Sequence, residues 1–211
     1  MVDDAPRVGD VRRTYDRIAD HFAATRAHPW DDVTDFLADR TGRVGVDLGC
    51  GNGRHAAPLA DRVDRVLPLD LSWRMLAAAR DRVGDTALCR GDLGTLPIAT
   101  DAVDLGVCIA SLHHLGSRDR RVAALSEMGR ILAPDGRLLV SVWSHTHDRF
   151  DRAGAFDTTV DWTLPDGTVV GRFYHIYDRA DLVAELDAAA ADPVAIRESA
   201  GNLYAEIGPP G

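Results

Sequence analysis

The stretch VGVDLGCGNG, residues 44–53, decides the fold of this chain. Its first half is a short apolar run of the kind that forms a buried parallel strand. Its second half places glycines at alternate positions, Gly49, Gly51 and Gly53, where the backbone can approach a ligand closely because no side chain intervenes. The stretch therefore predicts a strand, a ligand-binding loop and, over residues 54–60, a short helix.

The glycine spacing argues against a dinucleotide such as NAD as the ligand. A dinucleotide-binding loop spaces its glycines G-x-G-x-x-G, so that the pyrophosphate meets the N-terminus of a helix. Here the third glycine comes one residue too early. A glycine-rich turn that serves only tight packing between strand and helix is the alternative. The acidic residues downstream decide between the two interpretations.

Two acidic residues follow the next two strands of the pattern. Residues 66–69 form an apolar strand that ends at Asp70, where a carboxylate can accept hydrogen bonds from both ribose hydroxyls of a nucleoside. A third short strand, residues 86–89, leads to Asp92. One such acid alone is typical of a solvated turn. Together with Asp47 at the end of the first strand, they predict a nucleoside-binding edge of the sheet.

The composition is that of one globular domain. The chain has 211 residues, of which 45% are hydrophobic, enough for one sizeable core. We expect a single domain with N-terminal lid helices (1–40), a cofactor-binding half (41–143), and substrate-side and C-terminal strands (144–211). No apolar run is long enough to span a membrane, and residues 1–10 lack the order of a signal sequence. A cytoplasmic location is therefore expected.

The charged residues are unusual in kind as well as in balance. All 24 basic residues are Arg, only four of the 33 acids are Glu, and the net charge is −9. A surface rich in Asp and free of Lys is typical of a salt-adapted or high-GC source. The acidity weakens a nucleic-acid-binding interpretation, because duplex binding normally recruits a basic face. A local Arg patch stays compatible with it.

Three cysteines, Cys50, Cys89 and Cys108, lie far apart in the sequence, in or beside predicted strands. Their number and spacing favour buried reduced thiols over disulfides or a metal site. We therefore expect no metal centre.

The order of helical and strand patterns predicts an α/β fold with a doubly wound, mostly parallel seven-stranded Rossmann-like sheet and N-terminal lid helices. Helices are expected over 11–24, 29–39, 54–60, 73–82, 118–132 and 179–191. Strands are expected over 44–48, 66–69, 86–89, 101–109, 137–143, 194–199 and 202–207, with a hairpin of 160–163 and 168–170. Residues 144–157 lack a clear period and predict a mobile helical or irregular excursion.

Further candidates lie where the fourth strand opens into Ala110 and the pair His113 and His114. This is the carboxyl edge of the sheet, where doubly wound folds bind ligands. A histidine pair at a strand end can also cap or pack against the next helix, and one of the two is expected to do so. Three arginines within residues 118–121 oppose the dipole of that helix. They indicate either another partner or nearby aspartates.

Several stretches of the chain resemble one protein family. The pattern D-x-G-x-G-x-G at residues 47–53 resembles the first motif of class I S-adenosylmethionine-dependent methyltransferases. Within that class, most of the chain is similar to the tRNA wobble-uridine carboxymethyl methyltransferases. The similarity is carried by YDRIADHF (15–22), TR (25–26), PW (29–30), GCGNG (49–53), HH (113–114), RDRRV (118–122) and RFYH (172–175).

The resemblance implies S-adenosyl-L-methionine as the cofactor. It implies that Asp70 holds the ribose and that Asp92 lies near the adenine amino group. The cofactor-binding residues implied are Asp47, Gly49, Gly51, Asn52, Gly53, Asp70, Leu71, Asp92, Leu93 and Ala110.

The resemblance also implies a methyl acceptor, the carboxymethyl group of a modified wobble uridine in tRNA. The catalytic candidates are Arg26, His113, His114 and Arg172. The arginines would orient the base, a phosphate or the cofactor's carboxylate, and one histidine would hydrogen-bond the uracil ring or the carboxymethyl group. Trp30 or Tyr174 would stack on an extruded base. Taken alone, Arg26 also fits a solvated charge and Trp30 a core residue.

Members of the resembling family work with a small zinc-binding activator protein. In the strand order of this class, the strand from Thr86 to Cys89 lies at the sheet edge, where another chain can pair with it. We therefore expect a heterodimer with such an activator and poor solubility of the chain alone. Two alternatives stay open, a methyltransferase for small molecules and a non-catalytic module that binds S-adenosylmethionine.

Overall fold

The apolar run at residues 44–48 becomes an interior strand of a seven-stranded sheet. The computed structural model describes residues 6–191 and 193–210. The strands in chain order are β1 (Gly42–Leu48), β2 (Val63–Asp70), β3 (Cys89–Arg90), β4 (Val103–Ile109), β5 (Leu132–Trp143), β6 (Phe156–Thr163), β7 (Val169–Ile176), β8 (Pro193–Ser199) and β9 (Asn202–Ile207). The helices are α1 (Val8–Thr25), α2 (Asp31–Leu37), α3 (Ala56–Ala60), α4 (Trp73–Val83), α5 (Arg118–Ile131) and α6 (Arg179–Ala188), with a 3₁₀ turn at Leu112–His114.

The sheet has the order β3-β2-β1-β4-β5-β9-β8. β1 pairs in parallel with β2 and β4, and β9 runs antiparallel to both β5 and β8. The last four residues of β1 are buried. One apolar layer packs the sheet against α5 and α6, and another packs it against α2 and α3. The predicted fold class, a doubly wound and mostly parallel α/β sheet, is confirmed.

Helix α1 covers the carboxyl edge of the sheet because one side of the helix is apolar. Ile18 is fully buried, and Tyr15 and Phe22 pack in the same cluster. The helix also docks on α4, since the Ser72 hydroxyl donates a hydrogen bond of 2.6 Å to Asp16. In the described part of the chain, no helix is both long and apolar enough to cross a membrane.

The third strand differs from its prediction. β3 consists of Cys89–Arg90 rather than residues 86–89. The Thr86 hydroxyl donates a hydrogen bond to the carbonyl oxygen of Val83, and this holds the chain in the turn that follows α4. β3 therefore pairs with the last two residues of β2 and still forms one edge of the sheet.

Two other predicted boundaries are wrong for local reasons. β5 starts at Leu132 rather than at residue 137, because Leu132 already pairs with Val103 before the register shifts. α6 ends at Ala188 rather than near residue 191, because Ala190 adopts a left-handed backbone conformation with φ 51°.

β6 and β7 form a separate two-stranded sheet. The predicted hairpin is present, but its strands extend outward to a pair between Phe156 and Ile176. Arg172 and Tyr174 therefore lie within a paired strand. The segment before the hairpin is irregular and contains turns, which is one of the two forms that the sequence predicted. In one of these turns, the Phe150 N–H donates a hydrogen bond to the His147 carbonyl.

Candidate functional site

A cavity of about 410 Å³ opens at the carboxyl ends of β1, β2 and β4. The glycine loop after β1, helix α1 and the β6–β7 hairpin form its walls. The predicted site residues that line it are Arg26, Gly49, Gly51, Asn52, Asp70, Leu71, Asp92, Leu93, Ala110, His114 and Arg172. Three other predicted residues, Asp47, Gly53 and His113, lie behind the walls within the described chain.

The glycine loop adopts a backbone conformation that disfavours other residues. Gly49 has a φ of 72° and Gly51 a φ of 53°. A Cβ atom on Gly49 would lie 2.6 Å from the Cβ of Ser111, which leaves no room for a side chain. The loop backbone therefore forms the floor of the cavity, as the sequence predicted.

Asp70 holds this loop in place. One of its carboxylate oxygens accepts a hydrogen bond of 2.9 Å from the Gly51 N–H, and the other accepts one of 2.8 Å from the Ser72 N–H. Burial raises the pKa of Asp70 to about 6, although these hydrogen bonds oppose the rise. Each carboxylate oxygen retains a further lone pair. Asp70 can therefore accept hydrogen bonds from ligand hydroxyls while it supports the loop.

Asp92 is held by an arginine of α5. Its two carboxylate oxygens lie 3.0 and 2.9 Å from Nη2 of Arg120, and one of them also accepts a hydrogen bond from the Gly94 N–H. The neighbouring Arg121 pairs with Glu185 at 2.7 Å. Arg118, the third arginine of this turn, donates to the Ala184 carbonyl. All three arginines thus bind groups of the chain itself, and Arg120 fits the second predicted explanation, a nearby aspartate.

Asp47 and Gly53 lie behind the loop rather than on the cavity wall. Asp47 is 1% exposed, and its Oδ2 has no hydrogen-bond partner among the described residues. Burial, reinforced by the charge of Asp70, raises the pKa of Asp47 to about 8, so that the carboxyl is largely protonated at neutral pH. Gly53 packs on α4, where an added Cβ would lie 3.2 Å from that of Ala79.

Arg172 of β7 places a buried cation in the cavity wall. It is 8% exposed, and its guanidinium lies 4.8 Å from the ring centre of Trp162 and 5.2 Å from that of Tyr174. Its Nε has no hydrogen-bond partner within residues 6–191 and 193–210. A buried charge without a partner is costly. Arg172 can therefore pair with an anionic group of a ligand that enters the cavity.

Trp162 of β6 connects the hairpin to the lid helix, and the sequence analysis did not select it. Its Nε1–H donates a hydrogen bond of 3.1 Å to Nδ1 of His21 in α1. The guanidinium of Arg26 lies 5.1 Å from its ring centre. The hairpin register pairs Val160 with Arg172 and so puts Trp162 on the same face as that arginine. The alternating pattern of β6 carried this signal, but only the register reveals it.

Neither His113 nor His114 presents a free ring nitrogen to the cavity. His114 contacts the Phe173 carbonyl through Nδ1 at 2.8 Å and the Tyr15 hydroxyl through Nε2 at 2.5 Å. His113 lies behind it and accepts a hydrogen bond from the Trp143 N–H at 3.1 Å. Burial lowers both pKa values, that of His114 to about 3. Both ring nitrogens of His114 are therefore engaged, whereas Nε2 of His113 is buried without a partner among the described residues. A histidine contact to the substrate stays a prediction.

The cavity wall also concentrates positive charge. The arginines that line it are Arg12, Arg26, Arg54, Arg149 and Arg172. Over the described residues, none of the five forms an ion pair with a carboxylate. In a chain of net charge −9, this is a local basic patch of the kind that the composition left open.

Comparisons with known proteins identify the family. A family model described as a methyltransferase domain matches residues 46–140. A protein of Encephalitozoon cuniculi (strain GB-M1) that is named as a methyltransferase is 34% identical over 181 residues, which are 82% of this chain and 82% of that protein. The chain belongs to the S-adenosylmethionine-dependent methyltransferases. The expected cofactor, S-adenosyl-L-methionine, is confirmed with the family.

Other relatives agree with this family. The tRNA (carboxymethyluridine(34)-5-O)-methyltransferase alkbh8 of Xenopus tropicalis is 36% identical over 135 residues, 64% of this methyltransferase and 21% of the relative. The chain thus spans about a fifth of the length of the first relatives it matches.

Two solved structures share the fold of this methyltransferase. A DhpI-SAM-HEP complex has a TM-score of 0.75 at 23% identity, with 96% of this chain and 97% of that chain covered. A complex between the Haloferax volcanii Trm112 methyltransferase activator and a methyltransferase has a TM-score of 0.68 at 18% identity, with 93% and 98% covered.

The residues beside the glycine loop fit the amino-acid end of the cofactor. His55 lies two residues after the loop motif, and the sequence analysis missed it as a site residue. It is 4% exposed, and neither ring nitrogen has a partner in the described chain. Asn52 donates through Nδ2 to the Arg26 carbonyl at 2.7 Å and leaves Oδ1 without a partner there. Arg54 lies over Trp30 at 5.0 Å. Buried polar groups rarely lack hydrogen-bond partners. The amino-acid end of the cofactor could supply both kinds, because its ammonium group donates hydrogen bonds and its carboxylate accepts them.

The methyltransferase also contains a buried cluster with the composition of a metal site, His175, Asp181 and Glu185. Arg121 already binds Glu185 at 2.7 Å, and Nε2 of His175 lies 2.7 Å from Asp181. A metal ion would compete with the Arg121 guanidinium for the same carboxylate. The cluster is therefore best explained as an ion network that joins β7 to α6.

The expected base-stacking residues are less accessible than their sequence context suggested. Tyr174 is 3% exposed, because its ring packs 4.7 Å from that of His113 and 4.5 Å from that of His114. Trp30 lies at the start of α2 under Arg54. The partly buried Trp143 also lines the cavity, stacked on His147.

Proposed function

We propose that this methyltransferase transfers the methyl group of S-adenosylmethionine to the carboxymethyl group of a modified wobble uridine in tRNA. The observation that carries the proposal is the buried guanidinium of Arg172, which faces the cavity and has no carboxylate partner in the described residues. An acceptor with its own carboxylate would neutralise it. The names of the relatives point to the same acceptor.

We assign the cofactor to the glycine-loop side of the cavity. Asp70 accepts the ribose hydroxyls, and Asp92 lies near the adenine. Asn52 and His55 bind the amino-acid end, where their unpartnered atoms lie. The cofactor supplies an activated methyl group on a sulfonium. Leu71, Leu93 and Ala110 line the same part of the cavity.

The acceptor chemistry requires positioning rather than a general base. A carboxylate with an ordinary pKa of about 4 is ionised at neutral pH and attacks without losing a proton. The neutral, engaged ring of His114 is consistent with this. Negative charge on the acceptor disappears as the ester forms, so Arg172 stabilises bound substrate more than transition state. We therefore assign Arg172 and Arg26 to orienting the acceptor in line with the methyl group.

The unpaired arginines at the cavity support a polyanionic acceptor. Phosphates of tRNA would pair with residues such as Arg12 and Arg149, which line the cavity and have no ion pair within the described ranges. The aspartate-rich composition leads us to propose a salt-adapted source, for which few phosphate contacts and a shallow salt dependence are expected.

We also propose a heterodimer with a small zinc-binding activator that covers the sheet edge at β3. β3 has two residues, which pair with Leu69 and Asp70, so the rest of the outer edge of β2 has no strand partner in the described chain. Trp73, which follows β2 closely in sequence, is 60% exposed. One solved structure of the same fold is a complex with a Trm112 activator. A well-behaved monomer with full activity alone, by light scattering and methyl transfer, would contradict this pairing.

A small-molecule acceptor is the second candidate, favoured by the size of the cavity and its aromatic lining from Phe22, Trp143 and Trp162. One experiment separates the two. The protein, alone and with its activator, is incubated with methyl-labelled cofactor and either bulk tRNA or a metabolite extract. We expect label in the tRNA fraction, reduced strongly by Arg172→Ala and not by Arg13→Ala on the solvent side of α1. Label confined to small metabolites would establish the second candidate.

A further inference from the structure

Tyr15 of α1 is bound to His114 by a hydrogen bond whose direction can be assigned. A carbonyl oxygen only accepts, so the 2.8 Å contact with the Phe173 carbonyl puts the imidazole hydrogen on Nδ1. Burial lowers the pKa of His114 to about 3, so the ring is neutral at pH 7 and Nε2 is an acceptor. The Tyr15 hydroxyl, 2.5 Å from Nε2, is therefore the donor.

This direction decides what Tyr15 offers to the rest of the cavity. Its one hydroxyl hydrogen points at His114, so the phenol oxygen can only accept from other groups. The cation available to it is Arg172, whose charge lowers the pKa of Tyr15 against a larger rise caused by burial. The rings of Tyr15 and Tyr174 both lie against His114, at 5.0 and 4.5 Å, and the Arg172 guanidinium lies 5.2 Å from Tyr174. The four side chains thus form one contiguous cluster.

We propose that Tyr15 is a positioning residue that couples the docking of α1 to the orientation of Arg172. The connection starts at the Phe173 carbonyl on β7 and passes through His114 to Tyr15 on the lid helix. The His114 ring also packs on Tyr174, whose ring centre lies 5.2 Å from the Arg172 guanidinium of β7. The lid and the substrate hairpin thereby hold the guanidinium together. The inference rests on the proposed function in one respect, namely that Arg172 orients an anionic acceptor.

The alternative is that Tyr15 merely packs α1 onto the sheet. A packing role would change folding stability and cofactor affinity, and it would not depend on whether His114 has an acceptor atom for the hydroxyl. A positioning role changes the Michaelis constant for the acceptor while cofactor binding stays the same. It also depends on the acceptor atom at position 114.

Each variant that separates these two roles removes or restores one hydrogen-bonding group. Tyr15→Phe removes the hydroxyl and keeps the ring. His114→Asn can keep a donor to the Phe173 carbonyl and removes the acceptor for Tyr15, whereas His114→Gln can restore that acceptor. Tyr204→Phe removes the hydroxyl of another buried tyrosine, on β9 and outside the cavity, and is the matched control.

Methyl transfer to tRNA is measured with the activator-bound enzyme, and binding of S-adenosylhomocysteine is measured by calorimetry. We expect Tyr15→Phe and His114→Asn each to raise the KM for tRNA about tenfold, without additivity in the double variant, while the Kd of S-adenosylhomocysteine changes less than about twofold. We expect His114→Gln to recover most of the loss and Tyr204→Phe to show none. Additive effects, or an unchanged KM in Tyr15→Phe, would overturn the proposal.

A second measurement needs no acceptor. Amide hydrogen exchange of α1, recorded with S-adenosylhomocysteine bound, is expected to accelerate in Tyr15→Phe and His114→Asn and to return toward the wild-type rate in His114→Gln. Equal rates in all four proteins would reject the coupling. Failure of the wild-type enzyme to methylate tRNA would instead reject the proposed function, and the exchange result would still decide the coupling.

Discussion

Asp70 illustrates how much one residue decides at this site. It supports the glycine loop through the Gly51 N–H and is expected to accept the ribose hydroxyls through its remaining lone pairs. We predict that Asp70→Ala weakens binding of S-adenosylhomocysteine at least about tenfold, or about 1.4 kcal/mol, by calorimetry. Asp64→Ala, on the exposed part of the same strand, is the control and leaves the affinity unchanged.

The raised pKa of Asp70 adds a pH dependence with a definite sign. The carboxyl loses its charge as the pH falls through about 6. Ionised acceptors make stronger hydrogen bonds, so the affinity for S-adenosylhomocysteine is expected to fall in that window. Folding stability has the opposite dependence on pH. Because the pKa of Asp70 is higher in the folded protein than in the unfolded chain, its contribution to folding stability declines as the pH rises from about 4 to about 6. Asp70→Asn should remove the pH dependence of binding, and an equal dependence in that variant would assign it elsewhere.

Residue positions were predictable where local sequence fixes them. Gly49, Gly51 and Asp70 follow from strand ends and spacing within one stretch of chain, and the structure puts them on the cavity wall. The state of His114 was not predictable, since the Phe173 carbonyl that sets its tautomer lies on β7. His55 was missed because its signal is the lack of partners, which appears only in three dimensions.

Among the elements, α5 and α6 are joined by a buried ion pair. Arg121 and Glu185 are 5% and 0% exposed at their side chains and lie 2.7 Å apart. Arg121→Met leaves the Glu185 charge without its cation, and we predict a loss of about 3 to 5 kcal/mol in the free energy of unfolding, measured with urea. Adding Glu185→Leu should recover part of that loss, because the buried charge is then gone.

The control for this prediction is a surface pair. Arg13→Met removes a partner of Asp10 that is mostly in solvent, and its effect should stay below about 1 kcal/mol. A similarly small effect of Arg121→Met would contradict the account of the ion network that joins β7, α5 and α6.

Element order was predictable and element boundaries were less so. Hydrophobic period identified the strands of the main sheet, but the length of β3 depends on the Thr86 hydroxyl bond and the start of β5 on pairing with Val103. The hairpin strands β6 and β7 are longer than predicted, because backbone pairing between them continues beyond the residues with an alternating apolar pattern.

At the scale of the whole molecule, charge is distributed unevenly. The chain is acidic, with a net charge of −9, yet the unpaired arginines gather around one cavity. Net charge alone would have argued against a nucleic-acid substrate. The local distribution, which no composition reveals, supports an anionic acceptor at the carboxyl edge of the sheet.

The alkali stability of the product tests the central claim most directly. Methylation of a carboxylate gives an ester, and mild base cleaves esters, whereas methyl groups on nitrogen or carbon resist it. The enzyme, together with the proposed activator, is incubated with tRNA and methyl-labelled cofactor, and the recovered tRNA is treated briefly with alkali. We predict that the label leaves as volatile methanol. Label that stays on the tRNA after alkali would contradict methyl transfer to a carboxymethyl group.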